Sequence, residues 1–213
     1  MCQSARSMCA WILRTFQSRT PELMLTMWKS LVLPIVDYCS QLWSPIKVGE
    51  IQEIEAIQQS FTRKIRSGNH GDYWQRLGAL KLYSLQRRRE RYRIIYVWKV
   101  LEGIVPNIPN ETRKVQAIQS IRHGRVCKIP TRSASLPNKL QKLHDRCFAV
   151  NGPTLFNSLP KNIRCLTDIS VEEFKKLDGF LSTVADEPQL PGYTAGRRSP
   201  SYSLIHMTAV NLS

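Results

Sequence analysis

Acidic side chains that could hold catalytic metal ions occur in two close pairs, Glu53 with Glu55 and Glu172 with Glu173. Two-metal phosphoryl transfer needs carboxylates that converge, because hard Mg²⁺ ions take oxygen ligands. Glu53 and Glu55 are two residues apart on a predicted helix and so point in different directions. Glu172 and Glu173 fall in a predicted first helical turn, where acids stabilise the helix. We therefore predict structural roles for both pairs.

Histidine and cysteine side chains with metal-ligand chemistry occur at His123, Cys127, His144 and Cys147. Nitrogen and sulfur ligands suit a tetrahedral zinc site, and the spacing of these four residues permits one. Cys147 also alternates with Phe148 on a predicted strand, which is equally compatible with a small core residue. A zinc-dependent domain over residues 122–150 is therefore an alternative hypothesis beside a purely structural role.

Basic side chains form the densest group with binding chemistry. Residues 61–100 contain eleven Lys or Arg against two acids, in a chain with 31 basic and 16 acidic residues and a net charge of +15. Guanidinium groups bind phosphate through paired hydrogen bonds, and such an imbalance favours a polyanionic partner, either nucleic acid or an anionic membrane surface. The candidate nucleic-acid-binding residues are Arg63, Lys64, Arg66, Arg87, Arg88, Arg89, Arg91 and Arg93.

A helix that begins after Ser84 would position the last five of these arginines. The apolar residues Leu85, Ile95 and Trp98 recur at helical spacing, so that one side faces a core while the arginines point outward. Ser84 is the predicted N-cap, which puts three arginines near the first turn, where the helix macrodipole disfavours cations. An anion is therefore expected nearby, because Glu90 can form ion pairs with two of the arginines at most. The alternative is a solvated basic face whose long stems cover apolar surface.

Helical patterns dominate the first hundred residues. They predict a first helix with Trp11 and Phe16 on one face, a helix start at Thr20-Pro21, a kink or break at Pro34, a buried segment over 35–43, and helices over 47–66, 72–80 and from 85 to about 102. We therefore predict a mainly α fold whose helical region covers residues 1–104.

Proline and glycine become frequent after residue 104, and the helical period is lost. Short β-like runs at 124–129 and 144–150, a turn at 151–153, one or two helical turns at 154–159, and a helix opened by a capping box of Ser170 and Glu173 predict a small, loosely structured α+β module over 105–185. The proline-rich remainder, 186–213, is predicted to be an irregular tail.

The six cysteines are scattered, which predicts free thiols in a reducing compartment. No apolar run reaches the length of a transmembrane helix, and the first residues lack a signal-peptide core. The expected location is therefore intracellular, cytoplasmic or nuclear, with no secretion and no membrane partner.

Five stretches together resemble one protein family. They are residues 30–45 (SLVLPIVDYCSQLWSP), 57–65 (IQQSFTRKI), 85–98 (LQRRRERYRIIYVW), 150–160 (VNGPTLFNSLP) and 191–195 (PGYTA). In this order they resemble the region downstream of the polymerase core in reverse transcriptases of non-LTR retrotransposons, of the jockey-like kind. The resemblance implies that residues 1–104 form a thumb-like helical bundle that holds the template–primer duplex. The basic residues would then contact phosphates of RNA, DNA or an RNA–DNA hybrid, irrespective of base sequence.

The family's fingers, its palm with the metal-binding aspartate motif, and its upstream endonuclease have no counterpart in the matching stretches. No catalytic residue is therefore carried over, and we expect a fragment of an RNA-directed DNA polymerase that is inactive by itself. No cofactor is expected in this chain, since magnesium belongs to the complete polymerase. The rival hypothesis is a protein-interaction or self-association module that uses apolar surface left by the absent palm, near Trp11, Phe16 or Trp28.

Overall fold

The computed structural model describes residues 1–41, 43–45, 48–66, 72–107, 114–130, 137, 140, 144 and 147–176. Helices account for most of these residues, which confirms the mainly α prediction, whereas the thumb-like bundle stays a prediction. The described residues divide into two compact units: Met1–Ser40 with Pro45–Arg88, and Gln41–Ser44 with the residues from Arg89 onward. The predicted limits at 104 and 185 stay predictions. The predicted tail, 186–213, lies outside the described residues.

The first unit contains α1 (Cys2–Thr15), α2 (Pro21–Met27), a π-helical turn (Trp28–Val32), α3 (Leu33–Asp37), α4 (Val48–Thr62), α5 (Tyr73–Ala79) and the beginning of α6 (Leu85–Leu101). The second unit contains the rest of α6, the strands β1 (Ala117–Ser120) and β2 (Gly124–Cys127), and the helices α7 (Phe148–Asn157), α8 (Lys161–Arg164) and α9 (Val171–Lys176). None of the helices in this described part of the chain is both long and apolar enough to cross a membrane.

Pro34 is accommodated by a local change of helix type. Proline lacks the N–H of an α-helical hydrogen bond, and its ring clashes with the carbonyl four residues earlier. The chain forms the π-helical turn directly before it, and α3 then holds Pro34 in its first turn. The segment that follows differs from the predicted buried one, because Val36 is buried whereas Tyr38 and Trp43 are 75% and 51% exposed.

Two hydrophobic clusters fix the helices of the first unit. The larger cluster buries Ile12, Trp28 and Phe61, and the rings of Trp28 and Phe61 lie 5.0 Å apart. The smaller cluster joins Ile51 of α4 to Trp74 of α5. Each such side chain contributes roughly 1.5–3 kcal/mol when it is fully buried. Ile12 and Phe61 lie in the last turns of α1 and α4, so this packing fixes where the carboxyl ends of the two helices lie.

The second unit differs from prediction over residues 148–153. The predicted β-like run at 124–129 corresponds to β2, which pairs antiparallel with β1. The predicted strand is wrong over 148–150 and the predicted turn at 151–153 is wrong, because α7 covers these residues and contains Pro153. The helical turns predicted from residue 154 are confirmed as far as Asn157. A Cβ atom at Gly152 would lie 2.9 Å from atoms of Phe148 and Val97, so that the glycine permits close packing. The free energy gained by burying the apolar side chains of α7 thus outweighs the low helix propensity of Gly152 and Pro153.

Helix α9 begins with the predicted capping box, which is confirmed. The Ser170 N–H donates to the Glu173 carboxylate at 2.8 Å, and the Glu173 N–H donates to Ser170 Oγ at 3.1 Å. Phe174 is fully buried and stacks on Trp98 of α6, with ring centroids 4.4 Å apart and an interplanar angle of 10°. This stack anchors α9 in the core of the second unit.

Candidate nucleic-acid interface

Helix α6 begins where the sequence predicts, and its first turn meets an acidic side chain of the same unit. Ser84 Oγ accepts the Arg87 N–H at 3.2 Å, which confirms the predicted N-cap. The Glu55 carboxylate accepts the Leu85 N–H at 3.0 Å and also the hydroxyl of Tyr73. The anion expected at this helix start is therefore Glu55, inside the fold, and the structural role predicted for Glu55 is confirmed.

The arginines of α6 lie largely inside the protein. Arg87, Arg89 and Arg93 are only 2%, 1% and 3% exposed, so that the predicted outward orientation is wrong for these three. Ile94 and Val97 of the same helix are also buried. Because α6 is enclosed around most of its circumference, its mixture of charged and apolar residues does not mark a side that faces solvent.

Aromatic rings hold two of the buried guanidinium groups. The Arg87 guanidinium lies 5.7 Å from the ring centroid of Tyr83, and that of Arg89 lies 5.5 Å from the ring centroid of Trp43. A cation over an aromatic face is attracted by the ring quadrupole, and this attraction grows when water is excluded. These two arginines therefore have internal electrostatic partners.

Arg93 is a buried cation whose pKa is lowered by desolvation. Its Nη1 donates to Asn151 Oδ1 at 2.5 Å. Burial lowers the pKa of Arg93 to about 10, while Glu90 acts to raise this pKa and Arg89 lowers it further. The guanidinium is thus held by an amide and a neighbouring carboxylate, away from any external phosphate.

Arg88 and Arg91 are half-buried and are also engaged within the fold. Arg88 Nε lies 2.6 Å from Asp37 Oδ2, and Arg91 Nη2 donates to the Lys175 carbonyl at 2.8 Å. Taken with the three buried arginines, these contacts contradict the hypothesis that an external polyanion compensates the charge of α6. Each of the five arginines thus has at least one partner inside the fold.

The other three predicted residues have a different environment. Arg63, Lys64 and Arg66 are exposed and follow directly after the end of α4. Arg14 is exposed in the last turn of α1, and Arg19 is half-buried in the connection between α1 and α2. These five residues are termed the basic end.

Contacts between α1, α4 and the segments after them bring the basic end together. Arg6 Nη2 lies 3.6 Å from Glu53 Oε1 in the first halves of the two helices. Beyond both helices, the Arg66 N–H donates to the Arg19 carbonyl at 2.9 Å. The helices therefore run in the same direction, with their carboxyl ends side by side. The Arg19 guanidinium donates to the Leu13 carbonyl, which holds Arg19 against the end of α1.

Within the part of the chain that the structure describes, no carboxylate neutralises the charge of the exposed cations of the basic end. Arg14, Arg63, Lys64 and Arg66 make no ion pair with any residue that the structure describes. Cations at helix carboxyl ends interact favourably with the macrodipole, by about 0.3–1 kcal/mol each, which gives them a structural role as well. The arrangement still presents a group of solvated cations that can bind an external polyanion.

The four metal-ligand candidates are not assembled into a site. Cys127 is only 2% exposed, and its backbone N–H and carbonyl bond the Asn157 side chain at 2.8 and 2.9 Å. Burial raises the pKa of Cys127 to about 12, so that this side chain is a neutral, packed thiol in the folded chain. His123 is exposed in the β1–β2 turn, and the Cys147 N–H donates to the His144 carbonyl at 3.1 Å. The described residues contain no group of three side chains that could hold a metal ion.

The apolar surface predicted near the start of the chain is smaller than expected. Trp28 is fully buried and is therefore excluded from any interaction surface. Trp11 is 47% exposed, and its ring contacts that of Phe16 edge to face, with centroids 6.2 Å apart. Of the three predicted aromatic residues, Trp11 is the one with an exposed side chain.

Comparisons of the chain with protein-family models, curated proteins and solved structures found no match. Its function is therefore inferred from its residues and their arrangement.

Proposed function

We propose that the chain is the thumb and downstream region of a non-LTR retrotransposon reverse transcriptase and that it holds nucleic acid by the phosphate backbone through the basic end. The observation that carries this proposal is the group of solvated cations Arg14, Arg63, Lys64 and Arg66, none of which has an ion-pair partner among the described residues. The resemblance supplies the partner class, which is RNA, DNA or their hybrid. In enzymes of this kind catalysis belongs to the palm, and the role proposed for the residues of this chain is binding.

Cations that contact phosphates recognise charge and spacing, not bases. Each phosphate that a cation neutralises releases a counterion, so that the logarithm of the binding constant falls by about 0.9 per decade of salt for every phosphate contact on a duplex. Four cations in contact with phosphates correspond to a salt slope of about −4. The bound complex is therefore expected to be strongly sensitive to salt and indifferent to base sequence.

The arginines of α6 that are buried or half-buried take a different role in this proposal. They maintain the packing of the helix and lie away from the phosphates, as their internal partners Asp37, Tyr83 and Asn151 favour. Binding then depends on the end of α4, and the integrity of α6 affects binding only through folding.

A charge-matched pair of variants tests the proposal. The first variant replaces three residues of the basic end with glutamine: Arg63, Lys64 and Arg66. The control replaces three exposed cations of the second unit with glutamine: Arg122, Lys128 and Lys161. Both variants have the same net charge, so that a long-range effect of charge changes both equally. Affinity for an RNA–DNA hybrid is measured by fluorescence anisotropy over a series of salt concentrations.

We expect the basic-end variant to lose affinity on the order of 100-fold at 0.1 M salt and to reduce the salt slope by about 2–3. The control should change affinity by less than about 3-fold, since it removes no phosphate contact. Equal losses in both variants would assign binding to net charge alone and would refute a defined interface at the basic end.

A further inference from the structure

Trp11 is an exposed aromatic residue beside the basic end. It is 47% exposed on α1 and precedes Arg14 by three residues, a spacing that places both on one face of the helix. The Phe16 ring contacts Trp11 edge to face, with centroids 6.2 Å apart and an interplanar angle of 83°. One contact thus supports the indole while much of its surface remains in water.

The core-facing side of α1 does not include Trp11. Ala5, Cys9 and Ile12 are the buried residues of this helix, and they pack in the larger cluster of the first unit. A single exposed tryptophan is common on protein surfaces and needs no special explanation. The informative observation is its position next to cations that make no ion pair with any described residue, because an aromatic face and solvated cations suit one ligand.

An unpaired nucleotide combines the features that this surface would recognise. Its base has a flat π face that stacks on aromatic side chains, and its phosphates bind cations. A duplex exposes such a face only at its ends, whereas a single-stranded extension exposes one on every base. The indole and the cations of the basic end therefore favour a single strand that continues from a duplex.

We infer that Trp11, supported by Phe16, is a stacking site for an unpaired base of a nucleic acid whose backbone lies on the basic end. This inference rests on the proposed function and adds to it a preference for single-stranded extensions. The ligand class is single-stranded RNA or DNA attached to a duplex, and the contact is sequence-tolerant because every base offers a π face.

Two probes that differ only in the unpaired segment test this site. One is a blunt RNA–DNA hybrid, and the other is the same hybrid with a short single-stranded extension. The full chain is compared with Trp11→Ala, with Trp11→Phe and with the control Tyr38→Ala, which removes an aromatic side chain that is 75% exposed outside α1. Thermal unfolding of each variant verifies that it remains folded.

We expect Trp11→Ala to weaken binding of the extended probe by about 5- to 100-fold and binding of the blunt probe by less than about 2-fold. Trp11→Phe should retain most of the preference for the extension, because phenylalanine keeps a stacking face. Tyr38→Ala should behave as the unchanged chain with both probes.

The contrary outcomes separate this inference from the proposed function. Equal effects of Trp11→Ala on both probes, or no effect on either, would overturn the stacking site and leave backbone binding by the basic end intact. If the unchanged chain binds neither probe, the proposed function fails and the stacking site fails with it. If Trp11→Ala changes the mass in solution but not the affinities, Trp11 belongs to a contact between two copies of the chain, and the inference is wrong.

Discussion

Glu53 and Glu55 lie two residues apart on α4 and have opposite environments. Glu55 is 7% exposed and accepts hydrogen bonds from the Leu85 N–H and the Tyr73 hydroxyl, whereas the Glu53 side chain is 54% exposed beside Arg6. We expect Glu55→Gln to lower the free energy of unfolding by about 2–3 kcal/mol, since charged acceptors make the stronger hydrogen bonds and a helix start favours an anion. Urea denaturation measures the change.

Glu53→Gln is the matched control on the same helix. An exposed ion pair at 3.6 Å contributes little, so that this variant should stay within about 0.5 kcal/mol of the unchanged chain. A similar loss of unfolding free energy in both variants would show that the hydrogen bond from the start of α6 to Glu55 does not account for the effect of Glu55→Gln.

Buried thiols provide a second prediction at the residue scale. Burial raises the pKa of Cys9 to about 11 and that of Cys127 to about 12, from 9.0, whereas Cys39 is exposed. Because the thiolate is the reactive form, a pulse of iodoacetamide at pH 8 should label Cys39 rapidly and spare the other two until denaturant is added. Their raised pKa values also stabilise the folded protein below pH 9.0, an effect lost as the pH rises towards about 12.

Mass spectrometry of digested protein reads the labelling at each cysteine. The prediction concerns protection by the fold, so the fully denatured chain serves as the control for intrinsic reactivity. Labelling of Cys127 as fast as that of Cys39 in the folded protein would contradict the burial of the β2 end.

Helix starts were predictable from sequence because their signals are local. Thr20 with Pro21, Asp72, Ser84 and Ser170 each precede a helix in the structure, and each signal depends on residues within one turn. Strand β1 was missed because its side chains are mostly exposed and show no apolar alternation, so that only pairing with β2 defines it. The first six residues of α7, 148–153, were mispredicted for the opposite reason, since tertiary packing overrides their glycine and proline.

Gly152 in α7 and Gly78 in α5 test this packing argument at the element scale. A Cβ atom at Gly152 would lie 2.9 Å from atoms of Phe148 and Val97, whereas one at Gly78 would meet nothing within 4 Å. We expect Gly152→Ala to destabilise the protein by about 1–3 kcal/mol through overpacking. Gly78→Ala should stabilise it by about 0.4–1 kcal/mol, because alanine restricts the unfolded chain.

Thermal and urea unfolding of both alanine variants measure these opposite shifts. Gly78→Ala controls for the general benefit of alanine in a helix. If Gly152→Ala were also stabilising, the close approach of α7 to α6 would be incorrect.

At the scale of the whole molecule, the candidate interface was only partly predictable. Arg63, Lys64 and Arg66 were identified from their sequence density, and they are exposed in the structure. Arg14 and Arg19 were missed, because only the parallel course of α1 and α4 brings them to the same end. The burial of α6 was also unpredictable, since its partners come from distant segments.

The division between buried and exposed cations separates stability from binding across the molecule. Arg88 pairs with Asp37 at 2.6 Å, with side chains 29% and 15% exposed, whereas Lys64 is exposed and has no ion pair among the described residues. We expect Arg88→Met to cost about 1–3 kcal/mol of stability, because it leaves a largely buried carboxylate without its cation. Its affinity for an RNA–DNA hybrid should change by less than about 2-fold while the protein remains folded, since it removes no phosphate contact.

Lys64→Met should show the reverse pattern. Its free energy of unfolding should stay within about 0.5 kcal/mol of that of the unchanged chain, as is usual for surface substitutions. Its affinity for the hybrid should fall by about 5- to 10-fold at 0.1 M salt, because one phosphate contact is lost. Urea unfolding and fluorescence anisotropy on the same two preparations provide both readouts. The contrary result is that Arg88→Met weakens binding under conditions in which it is fully folded, while Lys64→Met leaves binding unchanged. That result would assign the phosphate contacts to α6 and not to the basic end. The buried arrangement of that helix would then be incompatible with the bound state.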